Sequence, residues 1–197
     1  MAVLGDEGLD LLFREARTQY DWKPETLERA NLEALYALAR FAPTSANNSP
    51  ARYAWCVSRE ARETLAACVS EGNREKVLTA PATVVVGMDL GFHEHRHMSF
   101  LFPHSDTTGW FTRSEAFTRD TALRNSTLQA AWLMMAARSL GFDTGPMSGF
   151  DQEAVDAAFW AGTTVETNFL ISVGHGTGEK LFPRLPRFDF DAVNRVC

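Results

Sequence analysis

Between Pro43 and Pro50 the chain reads Thr-Ser-Ala-Asn-Asn-Ser, and five of those six residues carry hydrogen-bonding side chains. The prolines restrict the backbone at both ends. Pro43, Thr44, Ser45 and Asn47 can therefore present fixed groups to a polar ring edge or a phosphate. The same composition also fits a capped polar turn after a helix. A second candidate is Gly145-Pro146-Met147-Ser148-Gly149. Its two glycines let backbone N–H groups approach a flat acceptor closely, although Gly and Pro mark ordinary connectors as well. Arg17, Lys76, Arg184 and Arg187 stand near polar segments. A phosphate or an anionic ring needs such cations, yet each one alone also suits solvated surface.

Three patterns resemble other chemistry and fail on context. His93-Glu94-His95-Arg96-His97 matches H-E-x-x-H, which in zinc proteases sets two imidazoles on one helix face. Here a strand-like run precedes it, Pro103 closes the segment soon after, and no third ligand is evident, so no metal is expected. Gly174-His-Gly-Thr-Gly178 follows a predicted strand, but Glu179 stands where a dinucleotide loop has its last glycine. Too little chain remains for the βαβ unit such a loop opens. Residues 145–149 also lack the Gly-x-Ser-x-Gly order of a nucleophile elbow.

These groups need elements to hold them. Pro24 suits the first turn of a helix running to about Arg40, with Leu32, Leu35, Tyr36 and Ala39 on one face. Residues 52–58 read as a strand, 60–70 as a helix, and the β-branched run 83–88 as a buried strand. Residues 91–112, rich in His, Phe and Trp and broken by Pro103 and Gly109, resist assignment. A long helix is predicted from about Ser114 to Leu140. Its second half, 128–137, is apolar on nearly all sides, as befits a core or an interface. Asp151 can cap a short helix to Trp160, and 167–174 is a last strand. The tail, 177–197, carries only fragments of pattern, which hints at docking on another subunit. The order is α+β with one modest sheet and a large central helix, not a regular βαβ alternation.

Composition narrows the function. The 197 residues suit one domain spanning 1–197, and 45% hydrophobic residues can fill a core. A net charge of −6 with no Lys/Arg run offers no footprint for nucleic acid. Three scattered cysteines, Cys56, Cys68 and Cys197, give neither a disulfide framework nor a thiolate metal site. No signal peptide or membrane span is evident, so a cytoplasmic location is expected.

Taken in order, several stretches resemble the nitroreductase family of FMN flavoproteins over nearly the whole chain. They are residues 16–18 (ART), 42–47 (APTSAN), 73–78 (NREKVL), 140–150 (LGFDTGPMSGF), 173–174 (VG) and 184–186 (RLP). Within the family, 49–52 (SPAR), 101–104 (LFPH), 124–126 (RNS), 143–151 and 184–187 (RLPR) resemble the malonic semialdehyde reductase subgroup.

The resemblance implies a nitroreductase-like fold with a central, mainly antiparallel sheet flanked by helices. It implies a homodimer with FMN at the interface and a C-terminal segment exchanged with the partner. Arg17, Thr18 and Arg184 would meet the phosphate, with Arg187 the rival to Arg184. Ser45 and Asn47, in the loop with Pro43 and Thr44, would reach flavin from one subunit. Asn73 and Lys76 would lie at the pyrimidine edge, and Pro146, Met147, Ser148 and Gly149 along N5 and O4. Hydride would pass from NAD(P)H through flavin N5 to substrate in a ping-pong cycle, and the flavin would carry the chemistry. The implied reaction reduces malonic semialdehyde to 3-hydroxypropionate in pyrimidine breakdown; the alternative is a broad nitroreductase or quinone reductase. Rivals of other kinds are a flavin-storage protein and a metallohydrolase built on the His cluster. Phe102, His104, Trp110 and Phe111 could wall the substrate pocket, with Arg113 or Arg124 clamping a carboxylate. The same aromatics could equally be packing.

Overall fold

The computed structural model describes residues 3–107 and 109–197. The chain opens with α1 (Asp6–Leu9), which runs into a π-helical turn (Asp10–Arg14), and α2 (Arg29–Ala39) follows. After a 3₁₀ turn come β1 (Ala51–Cys56), α3 (Arg59–Ala67), α4 (Glu71–Thr79), β2 (Ala82–Asp89) and α5 (His95–Leu101). The long α6 (Glu115–Ser139) leads to β3 (Asp143–Met147), α7 (Gln152–Phe159), β4 (Val165–Gly174) and a final turn, α8 (Phe190–Val193).

The four strands form one antiparallel sheet in the order β1-β2-β4-β3. Every residue of β2 is buried, as a central strand covered on both faces requires. Alternation divides the core. Val84, Val86, Ile171 and Val173 face α2 and α6, meeting Leu35, Ala130 and Leu133. Val85 and Leu170 face the other way, with Leu65, Val77, Met147 and Val155 from α3, α4, β3 and α7. Each such side chain contributes about 1.5–3 kcal/mol by leaving water. The hydroxyls of Thr83 and Ser172, buried across the β2–β4 pair, satisfy each other at 2.8 Å.

Several predicted elements shift. Pro24 does not open α2; the helix starts after Glu28, whose side chain and that of Asn31 form a reciprocal capping box. Residues 143–147, read as a turn, form the edge strand β3. An edge tolerates Pro146, because its missing N–H faces no ladder partner. The His-rich stretch is a turn leading into α5, so His93 precedes the helix that carries His97. The H-E-x-x-H spacing therefore does not set both rings on one helix. Helix α4 had no counterpart in the predicted elements.

Candidate functional site

The segment after the π-helical turn runs beside β3. Thr18 bridges Thr144, and Gln19 N donates to Thr144 O at 3.1 Å. Gly145 allows this closeness, since a Cβ there would lie 2.7 Å from Gln19 O. Its lack of a side chain thus serves chain packing. The pairing holds Arg17, Thr18 and Tyr20 along the rim of a cavity of about 430 Å³. Residues 182–187 close the other side and bring Arg184 and Arg187 to it. Arg17 Nη2 donates to Phe182 O. Arg187 is held by carbonyls of its own turn, Leu185 O at 3.1 Å and Pro186 O at 3.0 Å. Arg138, from the end of α6, also lines the cavity, and among the described residues no carboxylate does. Such a site suits a dianion.

A second group adjoins the first through Tyr20. Its ring packs edge-on against Phe182, with centroids 5.5 Å apart, and Lys76 Nζ stands 4.3 Å from its centre. Lys76 donates to Asn73 Oδ1 at 3.0 Å, and Asn73 Nδ2 donates to Gly149 O at 3.0 Å. A Cβ on Gly149 would come within 2.8 Å of Asn73 Nδ2 and 2.7 Å of Ser70 Oγ. Glycine there lets the chain of bonds close. Burial pulls the Lys76 ammonium below its ordinary pKa. Of the neighbouring stretch, Met147 points into the core, Pro146 is half-buried and Ser148 is exposed.

Loop 43–50 departs from ordinary backbone and is tied to its surroundings by hydrogen bonds. Ala46, Asn47 and Ser49 adopt left-handed backbone, with φ of 47°, 53° and 39°. Ser45 N donates to Asn125 Oδ1 and Ala51 N to Gln129 Oε1, both at 2.9 Å. Thr44 Oγ1 accepts from Ser49 N at 3.2 Å, and Asn47 Nδ2 donates to Leu101 O at 2.8 Å. Ser45 and Asn47 stay exposed, as does Pro43. Among the described residues no hydrogen bond or ion pair joins this loop to the Arg17 or Lys76 groups. Asn47 instead borders a separate cavity of about 830 Å³, with Arg40, Arg96 and Phe100.

Loop 43–50 and the aromatic segment meet, since Ala46 and Phe102 pack on one cluster built from Met88, Phe92, Met98 and Phe111. The predicted pocket residues divide. Phe102 sits 5.6 Å from His104 and 5.9 Å from Trp110 by ring centroids. Phe102 and His104 line a cavity of about 290 Å³ with His95 and Thr107. Phe111 is buried, its ring 5.3 Å from that of Phe92; it packs the core instead of walling a pocket. Arg113 lies over the Phe117 ring at 4.8 Å, and Arg124 is exposed on α6. Among the described residues no group of three or more His, Cys, Asp and Glu side chains could hold a metal, and no helix is long and apolar enough to cross a membrane.

Tyr20, Phe182, Arg138 and Gln129 are not among the site residues singled out from the sequence, and Asn125 enters only within the 124–126 stretch. Gln129 carried a signal, being the polar residue in the otherwise apolar stretch 128–137, with Asn125 one turn before it.

Comparison with known proteins bears on the whole arrangement. The model of the nitroreductase family matches residues 13–175. A Burkholderia lata protein, provisionally named NADH dehydrogenase/NAD(P)H nitroreductase, is 51% identical over 196 residues and both chains are fully covered. A Caulobacter vibrioides protein with the same provisional name is 49% identical over 197 residues, again across both full chains. Among solved structures, a provisionally assigned Exiguobacterium sibiricum nitroreductase in complex with FMN superposes with a TM-score of 0.83 at 18% identity, with all of both chains covered. A nitroreductase family protein from Streptococcus pneumoniae gives 0.81 at 21% identity, covering 94% of this chain and 98% of its own.

Proposed function

Since this chain belongs to the nitroreductase family, we propose that it is an FMN-dependent NAD(P)H oxidoreductase. The observation that carries the reading is the unbroken strip from the arginine cavity through Tyr20 to Lys76 and Asn73. The donor set fits the cofactor. A cavity ringed by guanidinium groups without a carboxylate can hold a phosphomonoester. Lys76, across Tyr20, can meet the negative charge of a reduced flavin ring. When bound, FMN supplies hydride acceptance from NAD(P)H and hydride donation to the substrate.

The chain's own residues bind and orient. Arg17, Thr18 and Arg184 or Arg187 hold the phosphate; Asn73, Lys76 and the backbone near Gly149 hold the ring edge. Loop 43–50 lines a different cavity of its own chain, so its exposed Ser45 and Asn47 serve a flavin held mainly by a second copy. That supports a homodimer with two sites at its interface. We assign the same interface to the apolar tail beyond Arg187.

For substrate, the reading is malonic semialdehyde, reduced to 3-hydroxypropionate in pyrimidine breakdown. A broad nitroaromatic or quinone reductase is the second reading, favoured by the names of the Burkholderia and Caulobacter relatives. A carboxylate clamp separates them. Arg124→Ala or Arg113→Ala, at the true clamp, should lower kcat/KM for malonic semialdehyde by about one to two orders of magnitude while leaving a neutral quinone unaffected, as loss of about 1.5–3 kcal/mol implies. Equal loss on both substrates marks a structural arginine, and no loss at either position removes the clamp.

The cofactor test is spectroscopic. The purified protein should be yellow, release FMN on denaturation, bleach with NAD(P)H and recolour with substrate. Stoichiometric FAD overturns the reading. Bleaching that no acceptor reverses makes the protein a flavin store.

A further inference from the structure

We infer that Arg138, in the last turn of α6, is a further cation of the phosphate site and holds the cofactor's phosphomonoester together with Arg17 and Arg184. This rests on the flavin reading above. Arg138 lies far in sequence from both partners, yet its side chain reaches the same cavity of about 430 Å³. It is half-buried and has no carboxylate in ion-pair reach among the described residues. Its Nη1 donates to Leu12 O at 3.2 Å and lies 3.9 Å from Met135 Sδ. Asp143 acts on it only at longer range, and that carboxylate already accepts from Gly176 N at 2.9 Å.

Burial draws the Arg138 guanidinium below its ordinary pKa, against the field of Asp143. A cation in this state is only partly compensated by its surroundings. The negative end of the α6 dipole gives part of the compensation. It does not explain why Arg17, Arg184 and Arg187 converge on the same space without an acid. Four like charges around one cavity repel, and a dianion seated among them would relieve that repulsion. The bond to Leu12 O adds position, because it ties the end of α6 to the segment that carries Arg17.

The test compares two flavins that differ only in the phosphate. Apoprotein is titrated with FMN and with riboflavin, following flavin fluorescence. Arg138→Gln removes the charge and keeps a polar side chain. It should weaken FMN binding by about 10–100-fold, the loss expected for one charged hydrogen bond, and leave riboflavin unchanged. Arg138→Lys should recover part of the loss. If FMN and riboflavin weaken together, Arg138 only positions the N-terminal segment and the inference fails. It fails equally if Arg138→Gln binds FMN as the wild type does. A wild-type protein that does not prefer FMN over riboflavin overturns the flavin-phosphate reading itself, and this inference with it.

Discussion

Lys76 faces Asn73 Oδ1 at 3.0 Å and the Tyr20 ring at 4.3 Å, with no carboxylate in ion-pair reach among the described residues. A half-buried ammonium so placed favours negative charge beside it. With FMN bound, Lys76→Ala should lower the flavin reduction potential and weaken FMN binding. The ceiling is about 1.5–3 kcal/mol for a charge-assisted contact, reduced by the solvent that still reaches the side chain. A spectroelectrochemical titration measures it, and an unchanged potential would assign Lys76 to surface. At this scale the sequence singles out Arg17, Lys76 and Arg184 by residue type alone, and the fold sets Arg17 and Arg184 on one cavity with Lys76 beside Tyr20. Arg138 was hidden because its role depends on the end of a helix meeting a cavity built from two distant segments. Phe111 misled for the opposite reason, since an aromatic side chain suits a core and a pocket wall equally.

Helix α6 is more than apolar filling. Leu133 and Ala137 are buried, but so are Asn125 and Gln129, and one turn of separation lets them accept from Ser45 N and Ala51 N. The two amides fix both ends of loop 43–50. Gln129→Leu keeps the volume roughly and strands the Ala51 N–H. It should destabilise the protein by about 1–3 kcal/mol, the usual cost of an unpaired buried donor, seen as a lower urea midpoint with unchanged slope. An unshifted midpoint would mean that water replaces the amide. Strands β2 and β4 were legible because runs of branched apolar residues fit a buried sheet. Strand β3 was not, because Asp, Gly and Pro are poor strand formers and pairing with β4 overrides them. Helix α4 buries only Val77, so its sequence carries no apolar periodicity to read.

The tail sets the scale of the whole molecule. Residues 182–187 close the arginine cavity of their own chain, so the phosphate contacts proposed above would not require a partner's tail. Beyond Arg187 the apolar side chains turn outward: Phe188 is 82% exposed, Phe190 64% and Val196 86%. Trp132 on α6 adds another exposed apolar ring, at 44%. In the homodimer proposed above, this surface would form part of the interface. Deleting residues 188–197 should convert a dimer to a monomer while leaving every cavity arginine in the chain. Light scattering decides it, and a dimer that survives would move the contact to the exposed face of α6. The long helix and the unpatterned tail were visible in sequence as candidates for such a surface. Which part of the tail stays at home was not, because that depends on the carbonyl of Phe182 finding Arg17.

The left-handed run at Ala46, Asn47 and Ser49 has a consequence for heat. Side chains at positive φ cost roughly 1–2 kcal/mol each relative to relaxed backbone, and here that tension is held by a few amides and by the Ala46 methyl resting on the Phe92 cluster. A taut segment with few anchors melts before the sheet does. Warming should therefore silence turnover several degrees before the circular dichroism of the helices falls, and cooling should bring it back. A protein whose activity and helicity vanish at the same temperature would have no such weak link.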